Sequence, residues 1–180
     1  RDVAPSRGLG DVYKRQPLVR STMEKAKKLG LKVALDLSNF NIVNAFKGML
    51  EDIIPKYVDI LFSNESEAEA FTGQKAAEAV HTLSELVEVS LVTLGKEGAL
   101  IGSHGQFYSV PAEGGKPVDT TGAGDNFAAG FLYGQSIGAS LVQSARIGSM
   151  LAGYVIDVVG PEIPYNKWEQ IKLKVKGILA

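Results

Sequence analysis

The sequence contains no cysteine, and its only histidines are His81 and His104. The missing cysteines exclude disulfides, thiolate metal sites and a cysteine nucleophile. Two isolated histidines exclude a histidine-rich metal site and offer little support for a Ser–His–Asp triad. His81 falls in a helical pattern and His104 in a turn, so we expect both to be structural or solvent-facing.

A strong net charge and a long apolar run are also missing. The 180 residues carry a formal net charge of −1, which excludes a broad attraction to nucleic acid or to an anionic membrane. No apolar run approaches the roughly 20 residues that span a bilayer, and the N-terminus shows no apolar signal segment. We therefore expect a cytoplasmic protein whose anion site, if it has one, is local.

Residues 1–16, RDVAPSRGLGDVYKRQ, follow neither the period of a strand nor that of a helix. We interpret them as a non-native or disordered arm, which is either a flexible terminus or a junction artefact of cloning or sequencing. Regular structure is expected to begin at Pro17, in the first turn of an amphipathic helix.

Strand and helix patterns alternate from Pro17 onward. The strand patterns cover residues 31–38, 58–64 and 89–95, followed by a hairpin at 98–110. The helix patterns cover residues 17–30, 44–57, 65–73, 75–86, 121–136, 140–156 and 166–179. This alternation predicts an α/β fold with a mainly parallel sheet, and we expect Trp168 to anchor the last helix by packing.

Polar clusters follow the predicted strands at residues 36–39, 63–67, 93–98 and 119–125. Ligands of open α/β sheets bind beyond the carboxyl ends of the strands. We therefore expect these clusters to lie along one edge of the sheet.

The stretch TTGAGDNF carries the clearest chemical signal. Gly122, Ala123 and Gly124 directly precede a helical run, so their N–H groups are unpaired donors that favour an anion. Asp125 would repel a phosphate, but it could accept the proton of an attacking hydroxyl, and a weak base suffices for a loose transition state. A tightly packed helix start explains the same local pattern about equally well.

Two further clusters are less specific. The spacing Thr93-x-Gly95-x-x-Gly98 would let a nucleotide approach the backbone, although an ordinary strand-to-hairpin turn explains it more simply. The spacing Asn64-x-x-Glu67 places an amide and a carboxylate about one helical turn apart, as oxygen ligands of Mg²⁺ or as part of a capped, solvated helix. Neither a Walker loop nor a G-x-G-x-x-G string occurs in the sequence.

The string DTTGAGDNFAAGF, together with the order of the three clusters, resembles the PfkB (ribokinase-like) carbohydrate and nucleoside kinases from Pro17 to the C-terminus. The resemblance implies a Rossmann-like three-layer α/β/α sandwich. Residues 17–180 would form its C-terminal ATP-binding and catalytic part, without the N-terminal part and its β-sheet lid. The chain alone would then be weakly active or inactive.

The implied reaction is ATP-dependent transfer of the γ-phosphate to a hydroxyl of a sugar or nucleoside. Asp125 would be the base, and residues 122–124 with the Asp125 backbone would form the anion hole. Asn64 and Glu67 would organise Mg²⁺, partly through water.

The remaining implied roles concern ATP and a second cation. Thr93, Gly95 and Gly98 would contact the ATP, and Ser149 would border its adenine. Asp119 and Thr121 resemble positions that line a monovalent-cation site, of K⁺ for example, in some members.

Several alternatives stay open at this point. The substrate is a sugar or a nucleoside such as adenosine, and the intact protein could be a homodimer. A nucleotide-binding module without catalysis is a second class of function, although it would have no need of Asp125. A flavodoxin-like or response-regulator domain shares the alternating pattern, but Asp36 alone is poor support for it.

Overall fold

The computed structural model describes residues 6–114 and 117–180, with the backbone alone for residues 6–16. The strands are β1 (Ala34–Asp36), β2 (Ile60–Asn64), β3 (Val89–Thr93), β4 (Ala99–Ser103) and β5 (Gln106–Val110). The helices are α1 (Ser6–Lys28), α2 (Phe40–Tyr57), α3 (Glu65–Thr72), α4 (Ala76–Ser84), α5 (Ala123–Ser136), α6 (Leu141–Ile156) and α7 (Trp168–Leu179). No helix of the described residues is long and apolar enough to cross a membrane.

The five strands form one sheet in the order β1-β2-β3-β4-β5. β1 and β2 run parallel, with Ala34 opposite Ile60 and Asp36 opposite Phe62. The predicted hairpin is present between β4 and β5, where His104 and Gly105 have φ values of 48° and 75°. Two successive positive φ values give the tight turn that matches the twist of paired strands. The predicted α/β fold with a mainly parallel sheet is confirmed.

Two helices begin earlier than the sequence pattern indicates. α1 begins at Ser6 and contains Pro17, so the expected start at Pro17 is wrong; a proline inside a helix removes one backbone donor without ending it here. The interpretation of residues 1–16 as a non-native or disordered arm stays a prediction, and residues 1–5 lie outside the described part of the chain. α2 begins at Phe40 because the Asn39 side chain caps it by accepting from the Asn41 N–H.

The chain divides into two compact units. The first holds the chain up to residue 91 and residues 102–106, and the second holds residues 92–101 and 107–180. In the first unit, α2 buries five apolar side chains, namely Val43, Phe46, Leu50, Ile53 and Ile54. Their spacing follows the helical period, which places them on one face of the helix.

The second unit is built around α5 and α6, whose backbones approach closely through glycines. A Cβ on Gly130 would lie 2.7 Å from the Gly148 Cα, and one on Gly134 would lie 2.5 Å from the Ser144 hydroxyl oxygen. Gly130 and Gly134 therefore allow α5 and α6 to pack closely together. α7 adds Ile171, Val175 and Ile178 to the core of this unit.

Trp168 does not anchor α7 as the sequence analysis expects. Its side chain is 37% exposed, whereas Ile171, Val175 and Ile178 are buried. These three residues recur at spacings of four and three and form the apolar face of the helix. Trp168 is the first residue of the helix and does not belong to the core cluster that these three residues join.

Candidate active site

The N-terminus of α5 is shaped by Gly122, the residue that precedes its first turn. Gly122 has a φ of 78°, in the left-handed region, and a Cβ at this position would lie 2.7 Å from the Pro161 Cβ. Both the backbone conformation and the close contact therefore require glycine. No side chain caps this helix end.

The absence of a side-chain cap leaves backbone donors available. The Ala123 N–H donates to the Thr120 carbonyl oxygen at 3.2 Å. Among the described residues, the N–H groups of Gly124 and Asp125 have no acceptor. Such donors in the first turn of a helix favour an anion, which agrees with the anion site predicted for Gly122–Gly124.

Asp125 is the third residue of α5, and its side chain is exposed. It forms no hydrogen bond or ion pair with the described part of the chain. A carboxylate that neither caps its helix nor pairs with a cation is free to accept a proton from a bound ligand. Negative charge is also favourable in the first turn of a helix.

Next to this helix end, the second unit contains a cavity of about 350 Å³. Six of the predicted site residues line it: Thr93, Gly95, Gly98, Ala123, Gly124 and Ser149. Four predicted site residues of this unit are not in its lining: Gly122, Asp125, Asp119 and Thr121. The volume falls in the range of small-molecule sites, about 300 to 1,000 Å³.

The two glycines at the β3 end of the cavity differ in the space beside them. A Cβ on Gly98 would overlap the Val110 carbonyl oxygen, whereas a Cβ on Gly95 would meet nothing within 4 Å. Both have positive φ values, 55° at Gly95 and 100° at Gly98, so the simpler turn explanation accounts for both glycines. The open space beside Gly95 also leaves room for a ligand. Lys96 also lines the cavity and is exposed.

Ser149 lies in the cavity wall, but its hydroxyl is engaged by the protein. It donates to the Pro111 carbonyl oxygen at 2.8 Å and accepts from the Glu113 N–H at 3.0 Å. Ser149 thus holds the segment after β5 against α6. A Cβ on Gly153, which also lines the cavity, would overlap the Glu113 carbonyl oxygen. The close approach of this segment to α6 therefore depends on Ser149 and on Gly153.

The sequence analysis missed several residues that line the cavity, among them Glu113, Gly114, Phe127, Gly153 and Ile156. A usable signal was the small-residue spacing of α6, where Gly148, Ala152 and Gly153 interrupt an apolar helix. Glycine in a helix interior weakens the helix, so its presence indicates close packing or a site.

Asp119 and Thr121 shape the loop that leads into α5. One Asp119 oxygen accepts from the Thr121 N–H at 2.9 Å and from its hydroxyl at 2.7 Å. The other accepts from the Gly160 N–H at 2.9 Å. The Gly160 bond first, and then those of Thr121, lower the pKa of Asp119 below its ordinary value. These three bonds use most of the roughly four acceptor positions of the carboxylate, and the monovalent-cation role of Asp119 and Thr121 stays a prediction. No group of three or more acidic or histidine residues suited to a metal occurs in the described ranges.

Asn64 and Glu67, in the first unit, form the N-terminal cap of α3. The Asn64 Oδ1 accepts from the Glu67 N–H at 2.9 Å, and the Glu67 carboxylate accepts from the Asn64 N–H at 2.9 Å. The capped-helix alternative is thus present. It is not a fully solvated one, because Glu67 is only 4% exposed, whereas Glu65 and Glu69 are exposed.

Burial gives the Glu67 carboxylate unusual electrostatics. Desolvation raises its pKa above the ordinary value, and the negative charge of Asp36 adds to this effect, against the hydrogen bonds from Asn64. A cation would offset both unfavourable effects. The Asn64 Oδ1 already accepts two bonds, from the Glu67 N–H and the Ser66 hydroxyl. Both Glu67 oxygens also accept from Asn64, one from its N–H at 2.9 Å and the other from its Nδ2 at 2.7 Å. The Mg²⁺ role of Glu67 and Asn64, partly through water, stays a prediction.

Comparison with known proteins establishes the family. Residues 16–168 match the pfkB family of carbohydrate kinases, so the chain belongs to this family. The chain is 34% identical over 158 residues to an adenosine kinase of Saccharomyces cerevisiae, covering 80% of this chain and 46% of that protein. It is 31% identical over 139 residues to a ribokinase of Lactococcus lactis, covering 77% and 45%.

A solved structure, described as a probable sugar kinase from Rhizobium etli, superimposes with a TM-score of 0.82 at 32% identity. The superposition covers 89% of this chain and 49% of the chain in that structure. The chain therefore spans about half the length of the relatives that it matches. The implied membership of the ribokinase-like kinases is confirmed.

Proposed function

We propose that the protein containing this chain transfers the γ-phosphate of ATP to a hydroxyl of a sugar or nucleoside. The observation that carries the proposal is the end of α5, beside a ligand-sized cavity. Among the described residues, the N–H groups of Gly124 and Asp125 have no acceptor there, and the Asp125 carboxylate has no partner. The family membership supports phosphotransfer as the reaction. An adenosine kinase and a ribokinase among the relatives leave the acceptor open between the two classes.

In the proposed mechanism, ATP occupies the cavity with its phosphates toward α5. The N–H groups of Gly124 and Asp125 stabilise the charge on the transferring phosphoryl group. Asp125 accepts the proton of the attacking hydroxyl, so that oxygen bonds to phosphorus as the bond to the leaving ADP oxygen breaks. Glu67 and Asn64 would hold Mg²⁺, partly through water, and the ion would supply charge neutralisation for ATP.

Asp125→Asn tests the assigned base. In a protein of the length of its relatives, we expect kcat to fall about 10²- to 10⁴-fold, the usual contribution of a general base. Affinity for ATP, measured by isothermal titration calorimetry, should not fall, because the free N–H groups are retained. Asp157→Asn, at the end of α6, is a control outside the proposed machinery. Phosphotransfer at the wild-type rate in Asp125→Asn would refute the assignment.

The second candidate function is a nucleotide-binding module without catalysis. Asp125, which has no partner among the described residues, argues against it, because a binding site for phosphate gains nothing from an adjacent carboxylate. Titration with ATP alongside a phosphotransfer assay with ribose, fructose, adenosine and inosine separates the two functions. ATP binding without transfer to any acceptor, in a protein of full family length, would favour the binding module.

A further inference from the structure

We propose that Asn126 is a positioning residue that holds the N-terminal end of α5 in the orientation needed for phosphotransfer. The inference rests on the proposed function for its catalytic consequence. Asn126 directly follows the assigned base, and nothing in its residue type distinguishes it from an ordinary polar residue in a first helical turn. Its contacts in the structure do.

The Asn126 side chain joins two backbone segments through one nitrogen. Its Nδ2 donates to the Gly122 carbonyl oxygen at 2.9 Å and to the Pro161 carbonyl oxygen at 3.3 Å. Both partners are acceptors, so only the NH₂ group of the amide can occupy this position. The Asn126 backbone N–H donates to the same Gly122 oxygen, also at 2.9 Å.

The Gly122 carbonyl is the group that most needs such a restraint. Gly122 lies in the left-handed region and has no side-chain cap beside it, and glycine has the greatest backbone freedom of any residue. Its carbonyl shares a peptide plane with the Ala123 N–H. Fixing the oxygen therefore fixes that peptide plane, and with it the orientation of the first turn of α5, which carries the N–H groups of Gly124 and Asp125.

The segment at residues 156–161 braces the preceding loop as well. The Ile156 carbonyl oxygen accepts from the Val118 N–H at 2.8 Å, and the Gly160 N–H donates to Asp119 at 2.9 Å. Those bonds restrain the start of the loop, whereas Asn126 is the side chain that connects the same segment to α5 itself. Loss of Asn126 would release the loop at the end where the proposed phosphate site lies.

The kinetic test compares Asn126→Ala with a matched control on the same helix, Gln135→Ala. Gln135 also uses a side-chain amide to join two segments, through the Ala139 carbonyl oxygen at 3.2 Å and the Ser144 hydroxyl at 2.8 Å. In a protein of relatives' length, Asn126→Ala should lower kcat about 10- to 100-fold and change KM for ATP about threefold at most, because misplaced donors weaken the transition state more than ground-state binding. Gln135→Ala should leave kcat within about twofold of wild type.

A second variant, Asn126→Asp, keeps the shape of the side chain and replaces the donor by an oxygen. It would face two carbonyl oxygens with no proton to share, so kcat should fall at least as far as in Asn126→Ala. An Asn126→Asp enzyme with the wild-type kcat would overturn the inference, because a purely space-filling role predicts that result.

Amide hydrogen exchange on the 180-residue chain provides a readout that does not depend on activity. We expect Asn126→Ala to speed exchange at the Ala123 and Gly160 N–H groups, and Gln135→Ala to leave both at wild-type rates. Unchanged exchange at both positions would overturn the positioning role whether or not the protein is a kinase. If exchange rises but kcat of an active enzyme does not fall, the catalytic consequence is wrong. A wild-type protein without phosphotransfer would refute the proposed function alone.

Discussion

At the scale of single residues, the surroundings decide what a carboxylate can do. Asp125 is exposed and has no partner in the described structure, so it is available to a ligand. Asp119 uses both oxygens to shape a loop, and Glu67 is buried in the cap of α3. These three acidic residues, two from the string at 119–125 and one from the Asn64-x-x-Glu67 motif, thus have three different physical roles.

The buried Glu67 predicts a pH dependence of stability. Its pKa is raised in the folded state, so the native protein holds this proton more tightly than the unfolded chain. The stability from this group is therefore fully present below the ordinary glutamate pKa of about 4.3, and it is lost as the pH rises from there through the higher pKa of the folded state.

Glu67→Gln should remove this pH dependence, because an amide does not titrate. The glutamine retains one oxygen to accept from the Asn64 N–H, but its NH₂ group cannot accept from the Asn64 Nδ2, and that loss does not change with pH. The free energy of unfolding of the wild type relative to Glu67→Gln should therefore fall as the pH rises from about 4, as measured by urea denaturation. Glu65→Gln, at an exposed position of the same helix, should show no such trend. A wild-type protein that gains stability relative to Glu67→Gln as the pH rises would contradict the prediction.

At the scale of elements, α5 has two functions at its two ends. Its N-terminal turn presents free donors beside the cavity, and its remaining turns pack against α6 through glycines. A Cβ on Gly148 would lie 2.5 Å from the Phe127 carbonyl oxygen, which shows how closely the two backbones approach. Because the packed turns fix the helix axis, they also fix where the N-terminal donors point.

This packing predicts opposite effects of the same substitution in two helices. Gly130→Ala should destabilise the protein by about 1 to 3 kcal/mol, since its Cβ would press against the Gly148 backbone. Gly177→Ala in α7, where a Cβ would meet nothing within 4 Å, should stabilise it by up to about 1 kcal/mol through helix propensity. Thermal and urea denaturation would measure both changes, and equal effects of the two substitutions would refute the packing argument.

At the scale of the whole molecule, the cavity gathers segments that are far apart in the chain. Thr93 ends β3, Ala123 begins α5 and Ser149 lies in the middle of α6, yet all three line the same space of the second unit. A ligand held by all three segments binds only when they are folded together. Binding should therefore stabilise the folded state.

ATP should accordingly raise the melting temperature of the 180-residue chain. At a concentration of about 100 times Kd, one-site binding stabilises by about 2.7 kcal/mol. Gly124→Leu should abolish the shift. Gly124 lines the cavity and a Cβ there would meet nothing within 4 Å, so the leucine side chain would occupy space that the nucleotide needs.

Differential scanning calorimetry with and without ATP would measure this shift. Gly177→Leu serves as the control, since it adds the same side chain to an open position far along the chain. An ATP-dependent shift of wild-type size in Gly124→Leu would show that the nucleotide binds elsewhere.

Much of the fold could be predicted from the sequence because it depends on local pattern. The helical periods, the strand runs and the turn at His104 and Gly105 are properties of neighbouring residues, and these predictions are confirmed. The early start of α2 depended on one capping side chain, that of Asn39, which an apolar period does not register. Trp168 was misjudged because its size suggested burial, whereas its place at the first residue of α7 left it partly exposed.

The sequence by itself determined the chemical groups near α5: the small residues 122–124, the carboxylate of Asp125 and the order of the motifs that identify the family. Only the tertiary structure decided which groups around the site are already engaged by the protein itself. The Ser149 hydroxyl bonds to the segment after β5, the close Val110 carbonyl requires glycine at position 98, and the Asn126 side chain donates to the Pro161 carbonyl oxygen. These contacts join residues that are distant in the chain, so no local pattern encodes them, and each follows from how the segments pack.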